Sequence, residues 1–154
     1  MSSLIAMLSF TSLIACGNDE PAAAVAAPAP GSPPRSTPAA QTGEVDVAAL
    51  KAAMDAGPVR LIDVRTPDEF AGARVPGAVN IPLDELESRL SDVSQDKGDV
   101  VYLICAVGGR SARATEALAA AGFLHPINVT GGTNGWKSAG LPTDSGPTGD
   151  TRIE

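Results

Sequence analysis

Val100-Val101-Tyr102-Leu103-Ile104-Cys105-Ala106-Val107-Gly108-Gly109-Arg110-Ser111 sets an apolar run, a cysteine, a glycine pair and an arginine in one line. The apolar run reads as a buried strand, and Arg110–Ala121 as the helix that follows it. The cysteine therefore stands at the carboxyl end of a strand, facing the amino end of a helix. In open α/β sheets that edge is where ligands bind. A helix start offers free N–H groups and the positive end of its dipole to an anion. The same setting lowers the pKa of a thiol, and the thiolate is the nucleophile. The loop is built to hold a reactive sulfur and a negative group together.

The flanking sequence alternates strands with helices. Asp46 caps a helix over Val47–Ala56, closed by Gly57-Pro58. Val59–Val64 reads as a strand. Thr66-Pro67-Asp68-Glu69 is a capping box with proline in the first turn, opening a short helix through Phe70. Val79–Ile81 is a short strand, and Leu83–Leu90 a helix from its leucine spacing. Gly122 ends the Arg110–Ala121 helix, with Leu118 and Phe123 placed to touch across the cap. Ile127–Val129 is a strand, and Thr133–Ala139 a helix stopped by Gly140. This alternation predicts an α/β fold, a parallel sheet with helices on both faces.

The chain has 154 residues, a net charge of −7 and one histidine. An acidic chain without a basic cluster argues against nucleic acid as a partner. One histidine and two cysteines assemble no metal constellation by the usual ligand count. An anionic substrate must be attracted locally, against the overall charge.

The amino terminus reads as a targeting segment over residues 1–15. Leu4–Ala15 is apolar or small and uncharged, a run of about 12 residues where a bilayer span needs roughly 20. It fits the apolar region of a secretory signal. Leu13-Ile14-Ala15-Cys16-Gly17 resembles the lipobox of bacterial lipoproteins, which implies cleavage before Cys16 and acylation of that cysteine. Met1-Ser2-Ser3 lacks the usual Lys or Arg, so either the true start lies upstream or the signal is atypical. Residues 16–43 are rich in Ala, Pro, Gly and Ser and read as a lipidated, disordered tether. A segment of about 25 residues spans on the order of 25–30 Å if flexible, and ~75 Å if polyproline-like. The folded domain is expected over 44–145, followed by a flexible tail over 146–154. The expected location is the bacterial cell envelope, lipid-anchored on the periplasmic or extracytoplasmic side.

Four segments of the domain resemble a single-domain rhodanese, a sulfurtransferase family. They are Leu61–Phe70 (LIDVRTPDEF), Pro76–Pro82 (PGAVNIP), the loop Cys105–Ser111, and Gly131-Gly132 with Trp136 and Gly140-Leu141-Pro142. Each alone is weak; the four in this order are specific. The resemblance implies that Cys105 takes a sulfane sulfur and becomes a persulfide. Backbone N–H groups of Ala106, Val107, Gly108, Gly109, Arg110 and Ser111 would surround the terminal sulfur. Arg110 would bind the anionic part of the donor, and Asp63 and Arg65 would support the loop. A thiol already ionised needs no separate base, and the chemistry needs no cofactor or metal. Two departures are Arg74, where many members carry a histidine before the Pro-Gly pair, and Thr133, where an aliphatic residue is usual. Both read as lying outside the core chemistry.

The expected function is transfer of a sulfane sulfur from thiosulfate or a persulfide donor to a thiophilic acceptor through a Cys105 persulfide. The partners are a small anionic sulfur donor and an external thiol, cyanide or a partner protein. Phosphatases and arsenate reductases with related loops place five residues between cysteine and arginine, where this chain has four. With Cys16 acylated there is no resolving thiol. The alternative is a non-catalytic rhodanese module: a sulfur carrier, a persulfide sensor or a docking domain.

Overall fold

In a computed structural model of the chain, the structure describes residues 40–147. The signal stretch, Cys16 and most of the tether lie outside the described residues, as does the end of the tail. Five strands form one parallel sheet in the order β1-β5-β4-β2-β3: β1 (Gly43–Val45), β2 (Arg60–Asp63), β3 (Val79–Asn80), β4 (Val100–Ile104) and β5 (His125–Val129). Alternation along the strands sorts side chains to two faces. Ile62, Val101, Leu103 and Cys105 join one buried cluster with Leu86, Ala114, Leu118 and Phe123. Leu61 and Ile104 join a second with Leu50, Val75, Val129 and Trp136.

The helices cover those faces. On one lies α4 (Gly109–Ala120); on the other lie α1 (Val47–Ala56) and α5 (Gly132–Ser138). Asp46 caps α1 by accepting the Ala49 N–H at 2.8 Å. The helix α2 (Pro67–Gly72) begins with the capping box expected from Thr66 and Glu69. Just beyond the Ala121 cap of α4, Gly122 has φ +92°, and the Phe123 N–H returns to the Leu118 carbonyl at 3.0 Å.

The Leu83–Leu90 stretch differs from expectation. It folds as a 3₁₀ turn over Leu86–Arg89 followed by the single-turn α3 (Leu90–Val93). Leu83, Leu86 and Leu90 still reach the same cluster. A spacing of three residues aligns side chains in a 3₁₀ turn as well as in an α-helix. Strand β1 was not expected at all. Its Gly43 pairs with Ile127, so the sheet begins one residue before the expected domain start. At the other end Gly146 donates to the Ala71 carbonyl at 2.8 Å and accepts from Arg74 Nη1 at 2.9 Å, which ties the start of the expected tail to α2.

The strand order fixes where a site can form. From β2 the chain leaves towards β3; from β4 it leaves in the opposite direction, towards β5. The carboxyl ends of β2 and β4 therefore flank the topological switch point. Asp63 closes β2 and Cys105 follows β4.

Candidate active site

Cys105 is 1% exposed and sits at the start of α4. Gly108 is the N-cap, with φ +112°, and its N–H donates to Cys105 Sγ at 3.1 Å. The left-handed backbone at this N-cap is a conformation that glycine adopts without strain. Burial pushes the Cys105 thiol up. The Ser111 hydroxyl and the N–H groups of Ser111, Gly108 and Val107 outweigh burial and hold the thiol below its ordinary value. Of the six loop residues expected around the sulfur, Val107, Gly108 and Ser111 therefore act on it through the backbone. Gly109 is exposed with open space around it, so the loop geometry does not demand glycine there. Val107 is exposed beside the buried sulfur.

The carbonyl side of the loop is fastened from α5. Thr133 N–H and Oγ1 donate to the Cys105 carbonyl at 2.8 and 3.0 Å, and Asn134 N–H donates to the Ala106 carbonyl at 3.0 Å. These bonds satisfy both carbonyls from α5. Gly132, with φ +57°, packs directly against the loop: a Cβ there would lie 2.4 Å from the Cys105 carbonyl oxygen. Thr133 thus bears on the site, contrary to the expectation from sequence. The glycine pair before Trp136 has a steric reason in Gly132. Trp136 is buried, and its indole N–H donates to the Pro142 carbonyl at 2.7 Å.

Arg110 does not stand free. Its guanidinium makes a two-pronged pair with Glu69 of α2, Nη1 to Oε2 and Nη2 to Oε1, both at 2.8 Å. The Arg110 hydrogen bonds are the main reason that the Glu69 carboxyl is lowered from 4.5 to about 2. Sequence reading gave Glu69 only a capping role. It fills both roles, since Thr66 N–H also donates to Oε2, at 3.2 Å.

Asp63 and Arg65 form a buried ion pair, Nη2 to Oδ2 at 2.6 Å and Nε to Oδ1 at 2.9 Å. Arg65 also donates to the carbonyls of Glu69 and Ala73, at 3.1 and 2.8 Å. The pair therefore locks α2 to the end of β2, and α2 carries the carboxylate that holds Arg110. Asp63 and Arg65 thus bear on the loop through α2, with no hydrogen bond to the loop itself.

Ser111 lies beneath the sulfur. Its Oγ is 3.5 Å from Cys105 Sγ, 3.0 Å from the Gly108 carbonyl and 2.7 Å from Asn128 Oδ1. Asn128 Nδ2 donates to Glu44 Oε1 at 2.8 Å. Neither Asn128 nor Glu44 stood out in the sequence. Arg74 lies with its guanidinium 5.0 Å from the Phe70 ring centre, and Arg113 is exposed. A cleft of about 730 Å³ opens at the far end of the sheet, by Ala53, Arg60 and Val100, away from Cys105. No group of three or more metal-ligating side chains occurs among the described residues, and no helix there is long and apolar enough to cross a membrane.

The profile of the Rhodanese-like domain family matches residues 46–139. The chain belongs to the rhodanese-like family. A protein named Sulfurtransferase from Allochromatium vinosum is 34% identical over 100 residues, covering 64% of this chain and 92% of its own length. YrkF of Bacillus subtilis (strain 168), by name a candidate sulfur carrier protein, is 35% identical over 94 residues. That match covers 60% of this chain but only half of YrkF. The crystal structure of a rhodanese-like domain protein from Staphylococcus aureus superposes with a TM-score of 0.59 at 36% identity, covering 67% of this chain and 99% of that one. The parallel sheet with helices on both faces is the rhodanese-like α/β fold, as the four sequence segments implied.

Proposed function

We propose that this chain is a sulfurtransferase that carries a sulfane sulfur on Cys105. The observation that carries the reading is the sulfur at the start of α4, with Gly108 N–H 3.1 Å away and its thiol held below the ordinary value. The Cys105 thiolate attacks the outer sulfur of thiosulfate. A new S–S bond forms, the donor's S–S bond breaks, and sulfite leaves with the electron pair. An acceptor thiolate or cyanide then attacks the outer sulfur of the persulfide and regenerates the Cys105 thiolate. A persulfide donor delivers its sulfur in the same way, releasing a thiolate. Fixed N–H donors aimed at the sulfur stabilise charge there without rearranging. Arg110 meets an anionic donor only in competition with Glu69, so the loop N–H groups do most of the anion binding.

The test is turnover of thiosulfate with cyanide, read as thiocyanate. Wild type is expected to turn over and Cys105→Ser to be silent; equal rates would overturn the reading. A sulfur-carrier role is the second reading. It is favoured by Cys105 being the only cysteine among the described residues, so none of them offers a second thiol to take its sulfur. Stoichiometric loading of Cys105 without turnover on any small acceptor would select it.

The proposal extends to location. Leu13-Ile14-Ala15-Cys16-Gly17 supports an acylated Cys16 and a domain tethered to a membrane of the bacterial envelope, outside the cytoplasm. An acyl mass on the amino-terminal fragment, lost in Cys16→Ser, is the expected result. A soluble, unacylated protein from the native host would contradict it.

A further inference from the structure

The Ser111 hydroxyl has one proton and three acceptors in reach. Asn128 decides where it goes. The Glu44 carboxylate can only accept, so the bond from Asn128 Nδ2 at 2.8 Å fixes the amide with Oδ1 towards Ser111. That carbonyl oxygen can only accept in turn. Ser111 must therefore donate to it, at 2.7 Å, and cannot at the same time donate to Cys105 Sγ at 3.5 Å. In this arrangement Ser111 Oγ stands beside a protonated thiol without donating to it; the hydroxyl bond that lowers the thiol is made once the sulfur is charged. Asn128 is 3% exposed, and among the described residues Oδ1 has no other donor. The Gly108 carbonyl is less demanding, because it also accepts the Ala112 N–H at 3.0 Å. Turning the hydroxyl to the sulfur thus orphans one buried atom, Asn128 Oδ1, and a buried orphan is costly.

We infer that Asn128, oriented by Glu44, is a positioning residue that holds the Ser111 proton off the resting Cys105 thiol and yields it when the sulfur becomes charged. The inference rests on Cys105 being the reacting sulfur. Glu44 and Asn128 are cross-strand neighbours on β1 and β5, so the edge strand missing from the sequence reading has a part in the site. The other charged groups around the loop are already paired: Asp63 with Arg65 at the end of β2, and Glu69 of α2 with Arg110 of α4. They are the same in every variant below.

The test is a pH titration of thiolate absorbance on the full chain, with the Cys105→Ser spectrum subtracted. Asn128→Leu removes the competing acceptor and is expected to lower the Cys105 midpoint by about half to one pH unit, the equivalent of one neutral hydrogen bond. Glu44→Gln lets the amide flip and present Nδ2 to Ser111, which frees the hydroxyl for the sulfur. It should lower the midpoint in the same direction from an exposed position, without a core change. Ser111→Ala should raise the midpoint. In the Ser111→Ala background Glu44→Gln should have no effect.

A Glu44→Gln shift that persists without Ser111 would reveal a through-space charge effect and overturn the inference. So would unmoved midpoints in both Glu44→Gln and Asn128→Leu. If Asn128→Leu does not fold, Glu44→Gln with its Ser111→Ala control decides alone. No sulfur donor is present in this titration. A failed sulfurtransferase reading would show instead as no sulfur gain on Cys105 with the midpoint shifts intact.

Discussion

Gly132→Ala should disable the site while leaving the fold standing. The added Cβ would lie 2.4 Å from the Cys105 carbonyl oxygen and 2.6 Å from the Ala106 carbonyl carbon and oxygen, all backbone atoms. Restoring an ordinary contact of 3.4 Å takes a shift of about 1 Å between α5 and the loop. The loop cannot move that far and keep the 2.8 and 3.0 Å bonds from Thr133 and Asn134. A misplacement of about 1 Å in a catalytic site costs on the order of 100-fold in rate. The left-handed φ of +57° adds strain of about 1–2 kcal/mol for any residue with a Cβ. Gly131→Ala separates the two effects. It has a similar φ, +77°, but its Cβ would find nothing nearer than Gly135 Cα at 3.7 Å. The assay is the rate of sulfur gain at Cys105 from thiosulfate, with urea unfolding in parallel. Both variants should lose about 1–2 kcal/mol from strain, Gly132→Ala somewhat more, and only Gly132→Ala should lose the rate. Equal rates in the two variants would refute the steric argument.

Glu69→Gln should free the Arg110 fork for an anionic donor and raise the thiosulfate rate about two- to five-fold, as expected for a partly exposed pair, with a smaller effect for a sulfur donor of lower negative charge. The Glu69 carboxyl is depressed on folding, so the pair's contribution is fully present above pH 4.5 and lost as pH falls through about 2. With both side chains about one-third exposed, that contribution is at most about 1 kcal/mol. Urea titrations of wild type and Glu69→Gln across that range check it. Asp63→Asn leaves the buried Arg65 charge unpaired and should destabilise the domain by about 3–5 kcal/mol, read by denaturant unfolding.

Much of the fold was legible because its signals are local. The helix Val47–Ala56 and the strand Val100–Ile104 have the bounds expected from capping and apolar runs. The position of Cys105 between strand and helix follows from twelve consecutive residues. The Leu83–Leu90 stretch shows the limit of spacing: it identified the right inward side chains and the wrong backbone, since both helix types satisfy it. Strand β1 is three residues, Gly-Glu-Val, too short and too mixed to register as a pattern. What the sequence hid in the site is set by tertiary contact. Glu69 and Arg110 are 41 residues apart, Ser111 and Asn128 are 17, and Asn128 and Glu44 are 84. Each residue also has an ordinary local reading: Glu69 as a cap, Asn128 as a strand residue, Glu44 as surface charge. Thr133 looked incidental because its partner, the Cys105 carbonyl, becomes its neighbour only when α5 docks on the loop.

The central claim is that Cys105 accepts a sulfane sulfur in this cradle. Intact-mass spectrometry after exposure to thiosulfate tests it most directly, with peptide mapping to place the added mass. The account predicts a gain of one sulfur on the Cys105 peptide, reversed by cyanide or a small thiol and absent in Cys105→Ser. An unmodified Cys105 peptide with both thiosulfate and a persulfide donor would contradict it.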